Sequence, residues 1–359
     1  VTIDNANYAG SETDGSGNST LALNFTGDEI SGSNISSSTV TYTSSGANAI
    51  KDESSATNEV VSQASLSYAD GGVPVITAAS WQDADANGKI DRVVLTFSEP
   101  VNIVDGNGSD GFGAILINDG GAVTIDNANY AASSVTSLTL NFSGDEISST
   151  AISGLSVTYE DAGSNSISDA SNEMADGDVA ESYIDAALPA ILSTSWQDMD
   201  SDGGIDRAVL TFSESIDITD GNAGDGFGAI LVNDGGAVTI DNANYAASNT
   251  SSLTLNFLQD EITGTAISGL SITYDNSGSN AIKDRSSPPL EIGDNIVSLA
   301  YADAAKPAIL SAVTGDNNAD GTVDRLTLTF SESVVITDGG TDNDIALTCL
   351  LYTSDAADE

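Results

Sequence analysis

The sequence predicts an all-β protein made of tandem Greek-key β-sandwich domains, and three observations carry that prediction. Apolar residues alternate with polar ones at period two, Gly-rich turn signals separate the alternating runs, and the whole pattern recurs along the 359 residues.

The recurrence sets the domain boundaries. The string Val-Thr-Ile-Asp-Asn-Ala-Asn-Tyr-Ala begins at Val1, Val123 and Val238. A second anchor, Pro-x-Ile followed by an acidic loop, begins at Pro74, Pro189 and Pro307, so the steps are 115 and 118 residues. A unit of that length has the size of one immunoglobulin-like domain. Complete repeats are expected over residues 73–187 and 188–305. Residues 1–72 read as the latter part of an earlier repeat and 306–348 as the opening of a later one. Residues 349–359 match nothing in the other repeats and resemble a translated sequencing-library adapter at the end of a metagenomic contig, which would make Cys349 foreign to the protein. Val1 falls inside a repeat, so the start of the chain reads as a truncation.

Within a repeat the strands follow in order. Val93, Leu95 and Phe97 share one face of the first clear strand, matched by Ala208, Leu210 and Phe212 and by Leu326, Leu328 and Phe330. Leu138, Leu140 and Phe142 form another, matched by Leu253, Leu255 and Phe257. Leu155, Val157 and Tyr159 form a third, matched by Leu270, Ile272 and Tyr274. Asp-Gly, Gly-Gly and Asn-Gly turns lie between them, and no segment has a convincing helical period. Seven or eight strands per repeat are expected. Trp81 and Trp196 recur once per complete repeat and read as packing residues.

Charge restricts the partners. With 54 Asp and Glu against 8 Lys and Arg, the net charge is −46, so nucleic acid and anionic membrane surfaces are repelled. Such a surface is stabilised by salt or by bound cations, and it also keeps a large secreted protein soluble. The chain has no His, which excludes His-dependent triads and His metal sites, and its single Cys can form no intrachain disulfide. No run of apolar residues is long enough for a membrane helix.

One motif carries chemistry. Asp83, Asp85, Asn87, Lys89 and Asp91 stand at positions 1, 3, 5, 7 and 9 of a loop with Gly88 at position 6. The pattern recurs as Asp198, Asp200, Asp202, Gly204 and Asp206 around Gly203, and as Asp316, Asn318, Asp320, Thr322 and Asp324 around Gly321. Alternate side chains of a curled loop point inward, so oxygens at 1, 3 and 5 converge on one cation. Gly at 6 permits the turn that brings the carbonyl at 7 (Lys89, Gly204, Thr322) into the shell, and the acid at 9 completes it directly or through water. Hard oxygen ligands in a flexible loop favour Ca2+.

These loops resemble the calcium loops of EF-hands, integrin α-chain propellers and thrombospondin repeats. They depart from the EF-hand at position 12, where Val94, Val209 or Thr327 replaces the bidentate Glu, and in being followed by a strand. The near-identical repeats, the phrase Leu-Thr-Phe-Ser-Glu and the acidity together resemble immunoglobulin-like repeats of large bacterial adhesins and surface proteins. That resemblance implies an extracellular or cell-surface stalk without catalysis, whose partners are neighbouring repeats and, through other domains, a cell-surface or matrix ligand. The alternative is a calcium-dependent carbohydrate-binding module accessory to a secreted enzyme, which would present exposed aromatics on one face.

Weaker candidates are kept apart. Asp105, Asn107 and Asp110, with Asp220, Asn222 and Asp225, could hold a second cation but read better as a Gly-rich loop. The adjacent acids Asp145–Glu146 and Asp260–Glu261 point to opposite faces of a strand, unlike a glycosidase pair. Arg92, Arg207 and Arg325 are expected to pair with nearby carboxylates.

Overall fold

The computed structural model describes residues 2–4, 12–13, 18–27, 39–43, 49–52, 58–66, 69–106, 111–119, 123–144, 147–161, 164–221, 226–234, 238–258, 262–276, 279–337 and 345. They form strands and no helix. In the opening segment β1 (Glu12–Thr13) pairs with β2 (Ser19–Thr20), and β3 (Val40–Tyr42) with β4 (Gln63–Leu66).

The next seven strands build the first repeat: β5 (Ile76–Gln82), β6 (Arg92–Val104), β7 (Ile115–Asn118), β8 (Ala132–Asn141), β9 (Ser156–Tyr159), β10 (Ser166–Ser168) and β11 (Tyr183–Asp185). β6 is the spine of a five-stranded sheet in which it pairs antiparallel with β5, β8 and β10, while β5 pairs parallel with β11. β7 and β9 form a separate antiparallel pair.

The second repeat contains β12 (Ile191–Gln197), β13 (Gly204–Ile205), β14 (Arg207–Thr219), β15 (Ile230–Asn233), β16 (Ala247–Asn256), β17 (Ile262–Thr263), β18 (Ser271–Tyr274), β19 (Ala281–Lys283) and β20 (Tyr301–Asp303). Among the described residues its nine strands exceed the expected seven or eight, because β13 and β17 form a short pair where the first repeat shows the bridge Ile90–Ile147. Otherwise the register repeats residue for residue. Ile76 faces Phe97 as Ile191 faces Phe212, and Val101 faces Val135 as Ile216 faces Thr250. Last, β21 (Ile309–Gly315) pairs with β22 (Arg325–Phe330).

The spine strand alternates as its sequence requires: Val93, Leu95, Phe97, Val101 and Ile103 are buried, and so are Ala208, Leu210, Phe212, Ile216 and Ile218. Its pairing with β8 breaks between Thr96 and Val101, which spares Pro100 a ladder hydrogen bond it cannot donate. The second repeat has Ser215 there and breaks at the same place, between Thr211 and Ile216. The bulge is therefore a feature of the sheet that Pro100 tolerates. A bulge also re-aims side chains, and Glu99 and Glu214 lie inside these two.

Each repeat owns a core. The first runs from Ile76 to Ala187 and the second from Ile191 to Ala305, with Trp81 and Trp196 fully buried. Trp81 tilts against Phe142 and Trp196 against Phe257, with ring centres 6.4 and 6.3 Å apart. Fully buried against aromatic neighbours, each tryptophan is a packing residue. The β21–β22 hairpin repeats the register of β12–β14, yet Ile309 is 58% exposed where Ile191 is 0%. Leu21, Leu23 and Phe25 of the opening segment are also exposed.

Candidate metal centre

Each acidic loop leaves the end of a strand and turns sharply. Gly88, Gly203 and Gly321 have φ of +84°, +97° and +88°, and the residue two before each, Ala86, Ser201 and Ala319, is also left-handed. Three loops thus adopt one backbone, and Gly at position 6 is required by that conformation.

The first carboxylate organises the turn. Asp83 Oδ2 accepts from Gly88 N at 2.8 Å and Oδ1 from Asn87 N at 3.2 Å. Asp198 Oδ2 accepts from Gly203 N at 3.0 Å, and Asp316 Oδ2 from Gly321 N at 2.7 Å. The last carboxylate closes the loop from the opposite side: Asp91 accepts from Ala84 N, Asp206 from Met199 N and Asp324 from Asn317 N. Positions 1 and 9 therefore face each other across the turn.

The structure gathers Asp83, Asp85 and Asp91, and likewise Asp198, Asp200 and Asp206, so that one oxygen of each lies within 4.8 Å of the others in its set. Burial pushes the Asp83 carboxyl up, with Asp85 adding to it against the pull of the Gly88 and Asn87 amides. Asp206 is raised by burial and by the charges of Asp200 and Asp198. Carboxylates that resist ionising beside one another are what a cation relieves.

Position 5 is used differently. Asn87 Nδ2 donates to Asp85 Oδ2 at 3.0 Å, and Asp202 Oδ1 accepts from Gly204 N at 2.9 Å. Asp320 accepts from the Thr322 amide and hydroxyl, which hold its carboxyl below the usual range. These residues stiffen the turn from within, so the geometry favours positions 1, 3 and 9 as the gathering set. The backbone at position 7 leads straight into pairing in the second loop, where Gly204 opposes Thr263.

The hydrogen bonds of the arginines go to amides, while Arg207 also acts on the neighbouring Asp206 carboxyl and draws it down. Arg92 Nε donates to Gln82 Oε1 at 2.7 Å and Arg207 Nε to Gln197 Oε1 at 2.9 Å. Arg325 Nη1 reaches Asn317 Oδ1 at 3.4 Å. The ladder explains the first two, because Gln82 and Gln197 stand directly opposite Arg92 and Arg207.

Two of the loops lie against the following repeat. A pocket is lined by Asp83 and Ala86 on one side and by Leu188, Pro189, Ala190 and Ile296 on the other. A Cβ built on Gly88 would sit 2.6 Å from Leu192 Cδ2, and one on Gly203 would sit 2.5 Å from Leu310 Cδ2. Gly321 has open space around it. The parallel pairing of β11 with β5 places the exit strand beside the start of the loop, with Asp185 opposite Trp81. The linker is fastened there, since Ala186 N donates to Trp81 O at 3.0 Å, as Ala304 N does to Trp196 O.

Sequence reasoning missed the residues that join the repeats. Thr150 Oγ1 lies 2.6 Å from Ser213 Oγ and donates to Glu214 Oε1, and Ser149 Oγ donates to Ser213 O at 2.8 Å. Thr265, Ser331 and Glu332 repeat the arrangement. The signal was present, because Ser-Glu closes the recurring Leu-Thr-Phe-Ser-Glu phrase.

Of the weaker candidates, Asp105 and Asp220 accept from Tyr130 N and Tyr245 N, which ties their loops to the fold. Asn107, Asp110, Asn222, Asp225, Asp145, Glu146, Asp260, Glu261 and residues 349–359 with Cys349 lie outside the described residues. No protein-family model matches the chain, and no curated protein matches it either.

Proposed function

We propose that the chain is a run of calcium-stabilised, immunoglobulin-like structural repeats from a secreted or cell-surface bacterial protein, serving as a stalk and carrying no catalysis of its own. The observation that carries this reading is the placement of two carboxylate-gathering loops, Asp83–Asp91 and Asp198–Asp206, each pressed against the opening of the next repeat. Calcium at Asp83, Asp85 and Asp91 neutralises charge where the linker passes, and so couples cation binding to the angle between repeats. Identical junctions repeated along a chain suit a mechanical spacer, whereas a binding site needs only one specialised copy.

The carbohydrate-binding alternative has less support. Both tryptophans are buried, and among the described residues the large exposed aromatics are Phe25 and Tyr183, which lie in different repeats.

Calorimetry and small-angle scattering of the full chain, with calcium and with chelator, test the proposal. Calcium is expected to raise the melting temperature of both complete repeats and to lengthen the particle. Identical melting in the two conditions removes the calcium sites, and identical dimensions remove the stiffening.

A further inference from the structure

A second set of carboxylates lies at the junction itself and belongs to neither acidic loop. Asp185 ends β11 in the first repeat, Glu214 sits in the bulge of β14, and Asp284 follows β19 in the second repeat. One oxygen of each lies within 4.8 Å of the other two. The set recurs one repeat earlier as Asp70, Glu99 and Asp169, at a constant step of 115 residues. Asp303 and Glu332 continue it at a step of 118.

An independent feature, the environment of Asp284, points to a ligand. Asp284 is 1% exposed, and its two oxygens are treated very differently. Oδ1 accepts from Ser286 N at 3.1 Å, Ser286 Oγ at 2.9 Å and Leu290 N at 2.6 Å. Oδ2 is buried and accepts from nothing. With Oδ1 saturated, Oδ2 is the oxygen left for Asp185 and Glu214. A buried carboxylate oxygen without a donor is unfavourable, and two neighbouring acids make it more so. The flanking cations are engaged elsewhere: Lys283 pairs with Glu291 at 3.4 Å and Arg285 with Asp217 at 3.9 Å.

We infer that Asp185, Glu214 and Asp284 form a calcium site that bridges the two repeats. The chemistry fits a hard divalent cation, since three carboxylates converge and Asp284 presents a desolvated oxygen. Each other acid is also oriented by one bond that leaves an oxygen over: Asp185 Oδ1 accepts from Ala187 N at 3.2 Å, and Glu214 Oε1 from Thr150. Thr150 belongs to the first repeat, so the ligand Glu214 is positioned from across the junction. The acidic loops draw all their carboxylates from one repeat, whereas this site draws from two and would act as a direct clamp.

The test is calcium titration of the full chain by calorimetry after chelation, comparing the native protein with Glu214→Gln and with the loop variant Asp83→Asn/Asp198→Asn. Glu214→Gln keeps the Thr150 contact and the side-chain volume. It is expected to lose one calcium equivalent while loop binding persists, and the loop variant to lose its own equivalents while the junction still binds. In chelator Glu214→Gln should melt above the native protein, because one of three crowded charges is gone, yet gain less from added calcium. A native calcium count in both Glu214→Gln and Asp284→Asn would overturn the site and leave the triad as a proton-sharing cluster. Loss confined to the loop variant would overturn it while preserving the loop sites.

Discussion

Replacing Gly88 by Ala tests how the acidic loop is coupled to its neighbour. Two costs can be read from the structure. The left-handed φ of +84° costs an alanine about 1–2 kcal/mol. The new methyl would also stand 2.6 Å from Leu192 Cδ2, 3.3 Å from Ala190 Cβ and 3.4 Å from Ser213 Cβ. Displacing the Leu192 side chain from its rotamer costs about 1 kcal/mol. Gly88→Ala should therefore destabilise by roughly 2–3 kcal/mol. Gly321→Ala, with a similar φ of +88° and open space, should cost only the backbone share. A double-mutant cycle with Leu192→Ala separates the two, because removing Cδ2 removes the clash. We expect Gly88→Ala to be about 1 kcal/mol milder in that background. Calorimetric melting of the full chain in chelator is the assay, so that loss of a cation does not enter. Additivity of the two substitutions within ~0.5 kcal/mol would refute the packing of this loop on the next repeat.

Two further outcomes follow from the cores. Trp81→Ala should cost about 3–5 kcal/mol in the first repeat's transition and leave the second repeat's transition in place, because the two cores are separate; equal loss in both transitions would contradict that separation. Tyr130, Tyr245 and Tyr274 are pushed well above the usual phenol range by burial, and Tyr159 is raised by burial as well. In three of them a hydroxyl donating to a carboxylate adds to it: Tyr130 to Asp126 and Tyr245 to Asp241 at 2.6 Å, and Tyr274 to Glu291 at 2.8 Å. The folded state thus keeps protons that the unfolded chain releases near pH ~10, so stability is retained below that value and falls as pH rises above it. Tyrosinate absorbance in an alkaline titration should show Tyr130, Tyr245 and Tyr274 ionising only as the chain unfolds, and a single transition near pH ~10 with the fold intact would argue against it.

Much of this protein was legible in one dimension, for physical reasons that can be named. Period two is the geometry of a strand with one buried face, so Val93, Leu95 and Phe97 specified their burial without any neighbour being known. The acidic loops were legible because a tight turn with a left-handed Gly is a local structure, set by φ and by hydrogen bonds within nine residues. What stayed hidden depends on residues far apart in sequence. Arg92 could not be assigned to Gln82 until the register placed them opposite. Gly88 showed its turn in the sequence, but its closeness to Leu192 exists only once two repeats are docked. The junction triad is the extreme case: Asp185 and Asp284 are 99 residues apart, and Glu214 belongs with them only because a bulge re-aims it. Carboxylates scattered at such distances carry no pattern of their own, and it is the sheet, the bulge and the short linker that bring them within reach of one ion.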